Sequence, residues 1–175
     1  AVHDGAAAAL ARIDALHRSG AAQECLAALD ELAGSAAQDG DAALLQEIAR
    51  RNTALARHAE AERCSAIALA LRPDDAAFLY NHATALIALG RMDEAEATLD
   101  RVIALDPADG DAWYNRATLR RQTPRHNHTA AIRMQLSKPP RTHADAIALQ
   151  YALAKELEDL GDSAASFASL QAGAA

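Results

Sequence analysis

The chain is short of the side chains that build β-sheets. Its 175 residues include nine Val or Ile, seven Thr and six aromatic residues. Because strands need β-branched and aromatic side chains to cover a pleated surface, this shortage excludes a sizeable sheet. Alanine supplies 48 of the residues, and it has the highest intrinsic helix propensity because it loses no side-chain entropy. The composition therefore predicts an all-α protein.

Long apolar runs are also missing. The longest stretch without Asp, Glu, Lys or Arg is 76–90, which contains Asn81 and His82, whereas a membrane-spanning helix needs about 18 apolar residues or more. We therefore predict a soluble, cytoplasmic protein that does not enter a membrane. Cys25 and Cys64 form no CxxC motif and are expected to be reduced and buried. The first residue is Ala rather than Met, which predicts a segment excised from a longer chain.

Motifs that carry chemistry are absent as well. The sequence shows no Ser/His/Asp set, paired carboxylates or phosphate-binding loop, so no catalytic residue and no cofactor is predicted, and the segment is not expected to be an enzyme. His126-Asn127-His128 has a spacing that can bind metals, but no Cys, Asp or Glu lies nearby in the sequence to complete a site. It is interpreted as a loop that leads into a helix. The net charge of −7 argues against binding of nucleic acid.

The sequence repeats itself with a period of 34 residues. The pattern Tyr-Asn-x-Ala-Thr at 80–84 returns at 114–118, and Glu-Ala-Glu at 60–62 returns at 94–96. One period predicts a helix over Ala76–Leu89, a turn over Gly90–Met92 and a second helix over Asp93–Leu105. Asp93 is expected to cap that second helix, and Ala83 and Ala95 are expected where the helices approach closely.

This period resembles the tetratricopeptide repeat (TPR). Glycine stands at its fifteenth place (Gly90), alanine at its twentieth (Ala61 and Ala95) and proline at its thirty-second (Pro73 and Pro107). The resemblance implies a single domain that forms a right-handed α-solenoid of antiparallel helix pairs, with about ten helices. The predicted units are repeats at 6–39, 42–75 and 76–109, an irregular repeat at 110–138 and a terminal helical pair at 142–173.

The C-terminal part carries a second resemblance. Tyr151–Gly161, Ser166-Phe167 and Leu170–Gly173, preceded by Arg120–Pro124, look like the end of the N-terminal TPR region in bacterial proteins that continue into a sulfotransferase domain. Within this part, Asn127–Lys138 is predicted to be a short irregular helix. This resemblance implies an alternative function, an accessory region that positions the acceptor substrate of a sulfotransferase or mediates dimerisation.

The TPR resemblance implies a concave groove, lined by the first helix of each repeat, that binds a protein or peptide partner. The tyrosines of the groove are candidates for hot spots of binding, or they pack against the adjoining repeat. Asn81 and Asn115 either hold the backbone of a peptide or bond between repeats. The groove-facing places are Gln46, Arg50, Tyr80, Asn81, Thr84, Tyr114, Asn115, Thr118, Arg121, Tyr151 and Lys155.

A basic belt lies between Asp111 and Asp145, where no acidic residue occurs. It predicts contact with an acidic partner or an anionic ligand, or else it neutralises neighbouring acidic residues such as Glu156, Glu158 and Asp159. A homodimer is a further predicted assembly. Together with the groove residue Arg121, the belt comprises Arg116, Arg120, Arg125, Arg133, Lys138 and Arg141.

Overall fold

The computed structural model describes residues 2–174, and within them the chain forms ten α-helices and no strand. The one extended feature of this part is an isolated bridge between Thr123 and His126. The predicted all-α fold with about ten helices is confirmed. The helices are α1 (Val2–Ser19), α2 (Ala22–Asp39), α3 (Ala42–Ala54), α4 (His58–Leu71), α5 (Ala76–Ala88), α6 (Met92–Leu105), α7 (Gly110–Thr118), α8 (Thr129–Leu136), α9 (His143–Asp159) and α10 (Ser163–Ala174).

The helices form two compact units, and the single domain predicted from the sequence stays a prediction. Unit 1 ends at Leu89 and contains α1 to α5, and unit 2 begins at Gly90 and contains α6 to α10. In unit 1, α1 packs on α2, α3 on α4 and α4 on α5. The apolar core of unit 1 includes Leu29, Leu45 and Ile48, and that of unit 2 includes Trp113 and Ile132. Each unit therefore has a core of its own.

The recurring alanines of the 34-residue period are buried. Ala49, Ala61, Ala83, Ala95 and Ala117 are each no more than 4% exposed. A methyl group at these positions lets helix backbones approach each other closely, and a larger side chain would push them apart. The alanine content thus has a positional role in packing as well as a role in helix propensity.

Several turns between successive helices use a left-handed backbone conformation. Gly20, Gly40, Gly90 and Gly161 have φ between +68° and +84°. At Ala56, which lies 34 residues before Gly90, φ is +56° although the residue has a Cβ. The left-handed conformation costs an L-residue roughly 1–2 kcal/mol, and glycine adopts it freely. The turn between α3 and α4 is therefore strained.

We expect Ala56→Gly to stabilise the protein by about 1 kcal/mol because it removes this strain. Thermal unfolding followed by circular dichroism measures the change. The matched control is Ala54→Gly at the end of α3, where the backbone is helical and the substitution should lower stability. A variant at Ala56 that unfolds at a lower temperature than the wild type would contradict the prediction.

Two helix starts in unit 2 differ in how they are capped. Thr142 caps α9, since its Oγ1 accepts a hydrogen bond from the N–H of Asp145 at 3.0 Å and donates one to the Asp145 carboxylate at 2.6 Å. The prediction that Asp93 caps a helix is wrong. Helix α6 begins one residue earlier, at Met92, its N-cap is Arg91 without a side-chain cap, and the carboxylate of Asp93 pairs instead with Arg120 at 2.7 Å.

Helix α9 is the centre of unit 2. Helices α7, α8 and α10 all pack against it, so the irregular repeat departs from a simple succession of pairs. Helix α8, at Thr129–Leu136, is shorter than the predicted Asn127–Lys138 and inserts Ile132 into the core of unit 2. The Nε1–H of Trp113 donates to the carbonyl of Pro107 at 3.0 Å, which orients the indole in the same core.

Candidate interaction surfaces

Unit 1 contains a surface depression, here called the unit 1 depression, of about 140 Å³ between α3, α4 and α5. Three alanines leave the space, and the polar side chains at its surface are Arg50, Thr53, Asn81 and Thr84. The hydroxyls of Thr53 and Thr84 donate to carbonyls of their own helices, while the side chain of Arg50 pairs with Glu47 and remains 65% exposed. Three predicted groove residues, Arg50, Asn81 and Thr84, therefore come together here.

Gln46 does not belong to this surface, and its prediction as a groove residue is corrected. Its side chain is buried, with only 5% exposed, and its Nε2 donates to the carbonyl of Phe78 at 3.5 Å. It links α3 to the start of α5 and offers no surface to a partner. The predicted residue Tyr80 lies on α5 and is partly buried, and it does not line the depression.

Unit 2 contains a larger depression, here called the unit 2 depression, of about 260 Å³ between α7, α9 and α10. Four residues predicted for the groove line it: Tyr114, Thr118, Tyr151 and Lys155. Asn115 and Arg121 do not line it. The remaining lining residues are Ala154, Glu158, Ser166 and Leu170. The structure thus brings together side chains that lie far apart in the sequence.

Close packing of α9 against its neighbours positions the walls of the unit 2 depression. A Cβ on Gly173 would lie 3.1 Å from the Tyr151 ring, so α10 passes directly over that ring. The Ser166 hydroxyl donates to the carbonyl of Ala154 at 2.8 Å and joins α10 to α9. The Tyr114 side chain projects from α7 and is 42% exposed. The Tyr151 ring is therefore covered by α10 on one side, and the Tyr114 ring is accessible to solvent.

Comparison with known proteins agrees with this architecture. Residues 52–122 match the family model of the tetratricopeptide repeat. This stretch contains Asn81 and Thr84 of the unit 1 depression and Tyr114 and Thr118 of the unit 2 depression. No curated protein matches the chain.

Solved structures of similar fold cover almost the whole chain. A crystal structure of MamA has a TM-score of 0.67 at 13% identity, over 93% of this chain and 92% of that chain. MamA from Desulfovibrio magneticus RS-1, from residue 41 to its end, has a TM-score of 0.67 at 18% identity, over 98% and 94% of the two chains. At these identities the similarity concerns the fold. What these matches share with the chain is a helical-repeat fold.

Three of the six residues of the basic belt form ion pairs within unit 2. Arg116 is 1% exposed and pairs with Glu96 at 2.6 Å and Asp100 at 2.7 Å. Arg120 reaches the carboxylate of Glu96 at 2.6 Å as well as that of Asp93. Arg116 is therefore not available to a partner, because its guanidinium lies inside the protein and neutralises acidic groups there, which is the alternative role that the sequence left open.

Arg141, at the C-terminal end of the belt, joins two segments. Its guanidinium pairs with Asp106 at 2.5 Å and with Asp145 at 3.2 Å. Burial would raise the pKa of Asp145, but hydrogen bonds from Thr142, Arg141 and the N–H of Gly110 outweigh it and lower that pKa. Its carboxylate thus remains ionised to lower pH than an ordinary aspartate.

The rest of the belt is exposed. Lys138 donates to the side-chain carbonyl of Gln135 at 3.1 Å. Arg125 and Arg133 form no ion pair within residues 2–174. The acidic partners of Arg116 and Arg120 lie on α6. Those of Arg141 lie at the C-cap of α6 and at the start of α9. None of these partners is among the acidic residues that the sequence suggested.

The loop before α8 contains a buried acidic contact that sequence reasoning missed. Glu156 is 0% exposed and accepts a hydrogen bond from the backbone N–H of His128 at 2.5 Å, and its carboxylate also lies 3.1 Å from the Nδ1 of His128. The His128 ring lies 6.1 Å from the Trp113 ring. A signal was present in the sequence, because Glu156 follows the buried residues Ala152 and Leu153 at helical spacing.

The histidine pair of this loop has a structural role. His126 lies beside Glu96 and Arg116, at 3.2 Å and 3.3 Å, and His128 contacts Glu156. Among the described residues no group of three or more His, Cys, Asp or Glu side chains could hold a metal ion. No helix in this part of the chain is long and apolar enough to cross a membrane.

Proposed function

We propose that the chain is a non-catalytic scaffold that binds a segment of a partner protein at the first-helix faces of its repeats. The observation that carries this proposal is the unit 2 depression, where Tyr114 and Tyr151 lie on two helices around one accessible space. Tyrosine is enriched at hot spots of binding because it combines a large contact area with hydrogen bonding. The TPR match over residues 52–122 supports the same function.

The proposal is tested with the 175-residue chain and a displayed library of random twelve-residue peptides. We expect enriched peptides whose affinity falls about tenfold in Tyr114→Ala, because the substitution removes an exposed aromatic wall of the depression. The thermal unfolding temperature should change little, since the Tyr114 side chain is not part of the core. Affinities are measured by titration calorimetry with the purified variants.

Met134→Ala is the control for this experiment. Met134 is 55% exposed on α8 and does not line the unit 2 depression, so its truncation should leave peptide affinity unchanged. If Tyr114→Ala instead lowers the unfolding temperature and leaves the affinity of the folded protein unchanged, the tyrosine serves packing and the proposal is wrong at this residue.

Other assignments remain predictions. None of the matches reported above is a sulfotransferase-linked protein, so the accessory role beside a sulfotransferase is tested by sequencing the gene beyond the codon for Ala175. Homodimerisation is tested by light scattering at two concentrations. A cytoplasmic location is tested by fractionation of the source cells. An acidic partner is less favoured than a basic one, because Arg116, Arg120 and Arg141 already have acidic partners within unit 2.

A further inference from the structure

The size of the unit 2 depression suits one amino-acid side chain. Its volume of about 260 Å³ lies below the range of roughly 300–1,000 Å³ that is typical of sites for small molecules and cofactors. It is also open to solvent along one side, where the ring of Tyr114 is accessible. A long side chain projecting from a partner could enter it from this side.

The walls of the depression are mainly apolar and aromatic. Tyr114, Tyr151 and Leu170 supply the large surfaces, and Leu170 is 43% exposed. The two hydroxyl groups among the smaller side chains are already used: Thr118 donates to carbonyls of its own helix, at 3.0 Å, and Ser166 donates to Ala154. The walls thus favour an occupant with an extended aliphatic part.

Two charged side chains, Lys155 and Glu158, line the depression. Lys155 pairs with Asp159 at 2.6 Å. Burial would raise the pKa of Asp159, but hydrogen bonds from Lys155 and the N–H of Gln122, with the nearby charges of Lys155 and Arg121, outweigh it and lower that pKa. Asp159 is therefore ionised and compensates the nearby cations. Glu158, which lines the depression and is exposed, has no ion pair within residues 2–174.

We propose that the unit 2 depression receives a lysine or arginine side chain of a partner protein, an inference that rests on the proposed binding function. The aliphatic stem of the basic residue packs along Leu170 and the tyrosine rings, and its cationic head lies near Glu158. A cation over the face of a tyrosine is attracted by the ring quadrupole. The chain's net charge of −7 also attracts a basic partner segment.

The test uses acetylated and amidated seven-residue peptides that differ only at the central position, which is Lys, Arg, norleucine, Gln or Glu. Binding to the full chain is followed by nuclear magnetic resonance of the Tyr114 and Tyr151 ring signals. We expect the Lys and Arg peptides to bind about tenfold more tightly than the norleucine peptide. Glu158→Gln should weaken the binding of the Lys peptide about fivefold and leave that of the norleucine peptide unchanged.

The control variant is Glu24→Gln, which removes the same charge from an exposed carboxylate of unit 1. It should leave the affinity for the Lys peptide unchanged, so a loss as large as that of Glu158→Gln would overturn the inference in favour of general attraction. Equal binding of the norleucine and Lys peptides, or preference for the Glu peptide, would overturn the inference while the proposed binding function stands. If no peptide shifts the Tyr114 and Tyr151 ring signals at millimolar concentration, both the inference and the proposed binding function are contradicted.

Discussion

Gly110→Ala should destabilise the protein by about 3 kcal/mol, or roughly 10 °C in unfolding temperature. A Cβ at Gly110 would lie 2.5 Å from the carbonyl oxygen and 2.8 Å from the Cα of Asp145. These are backbone atoms of α9 that cannot rotate away, so α7 must move off α9 and open the core they share. The move also disturbs the hydrogen bond from the Gly110 N–H to the Asp145 carboxylate, at 3.2 Å. Chemical and thermal denaturation measure the loss.

The same substitution at Gly34 should have the opposite effect on stability. Gly34 lies inside α2, is exposed, and a Cβ there would have no atom within 4 Å. Since alanine is the better helix former, Gly34→Ala should stabilise the protein by about 1 kcal/mol. If both variants change stability in the same direction, the close approach of α7 to α9 is not what makes glycine necessary at position 110.

Arg116→Met should also cost about 3 kcal/mol of stability. The substitution keeps an aliphatic chain in the core, but it removes the buried cation between Glu96 and Asp100. Removing one member of a buried ion pair is more costly than losing the pair as a whole, and Glu96 would keep the more exposed Arg120 as its arginine partner. The side chain of Glu96 is only 15% exposed, so water can stabilise it only in part. Denaturation in urea measures the loss.

Arg120→Met is the matched control because Arg120 contacts Glu96 as well. Its side chain is 40% exposed, so solvent screens the interaction and the loss should be far smaller. Added salt should reduce the stability difference between the wild type and Arg120→Met. It should have little effect on the stability difference between the wild type and Arg116→Met. Equal losses in the two variants would show that burial does not decide the strength of these contacts.

The fold could be predicted from sequence because its signals are local and repeated. A period of 34 residues fixes where helices turn, and the buried alanines follow from the same register. Ala56 shows the limit of this reasoning, since nothing local in the sequence marks a left-handed alanine. Only the alignment with Gly90 indicates that the turn there needs this conformation. Asp93 shows a similar limit, because a one-residue shift in a helix start turns a predicted cap into an ion-pair partner.

The candidate sites were only partly predictable. Tyr114 and Tyr151 were found because the repeat places them on equivalent faces, and the structure puts both around one depression. Gln46 was wrongly assigned to the groove because its position in the repeat does not show how far the next helix covers its side chain. Arg116 and Arg120 lie four residues apart and look alike in the sequence, but the packing of α6 against α7 buries only Arg116. Whether a single side chain is exposed depends on contacts between helices, which the repeat pattern does not specify.

The central position of α9 affects how unit 2 should fold. In a regular solenoid each repeat touches only its neighbours, so folding spreads along the chain and the end repeats can unfold first. Here α7 and α8, which precede α9, and α10, which follows it, all pack on the same helix. None of the three can complete its apolar contacts until α9 has formed. We therefore expect α7 to α10 to form in one cooperative step, so that the end of this segment is protected against stepwise unfolding.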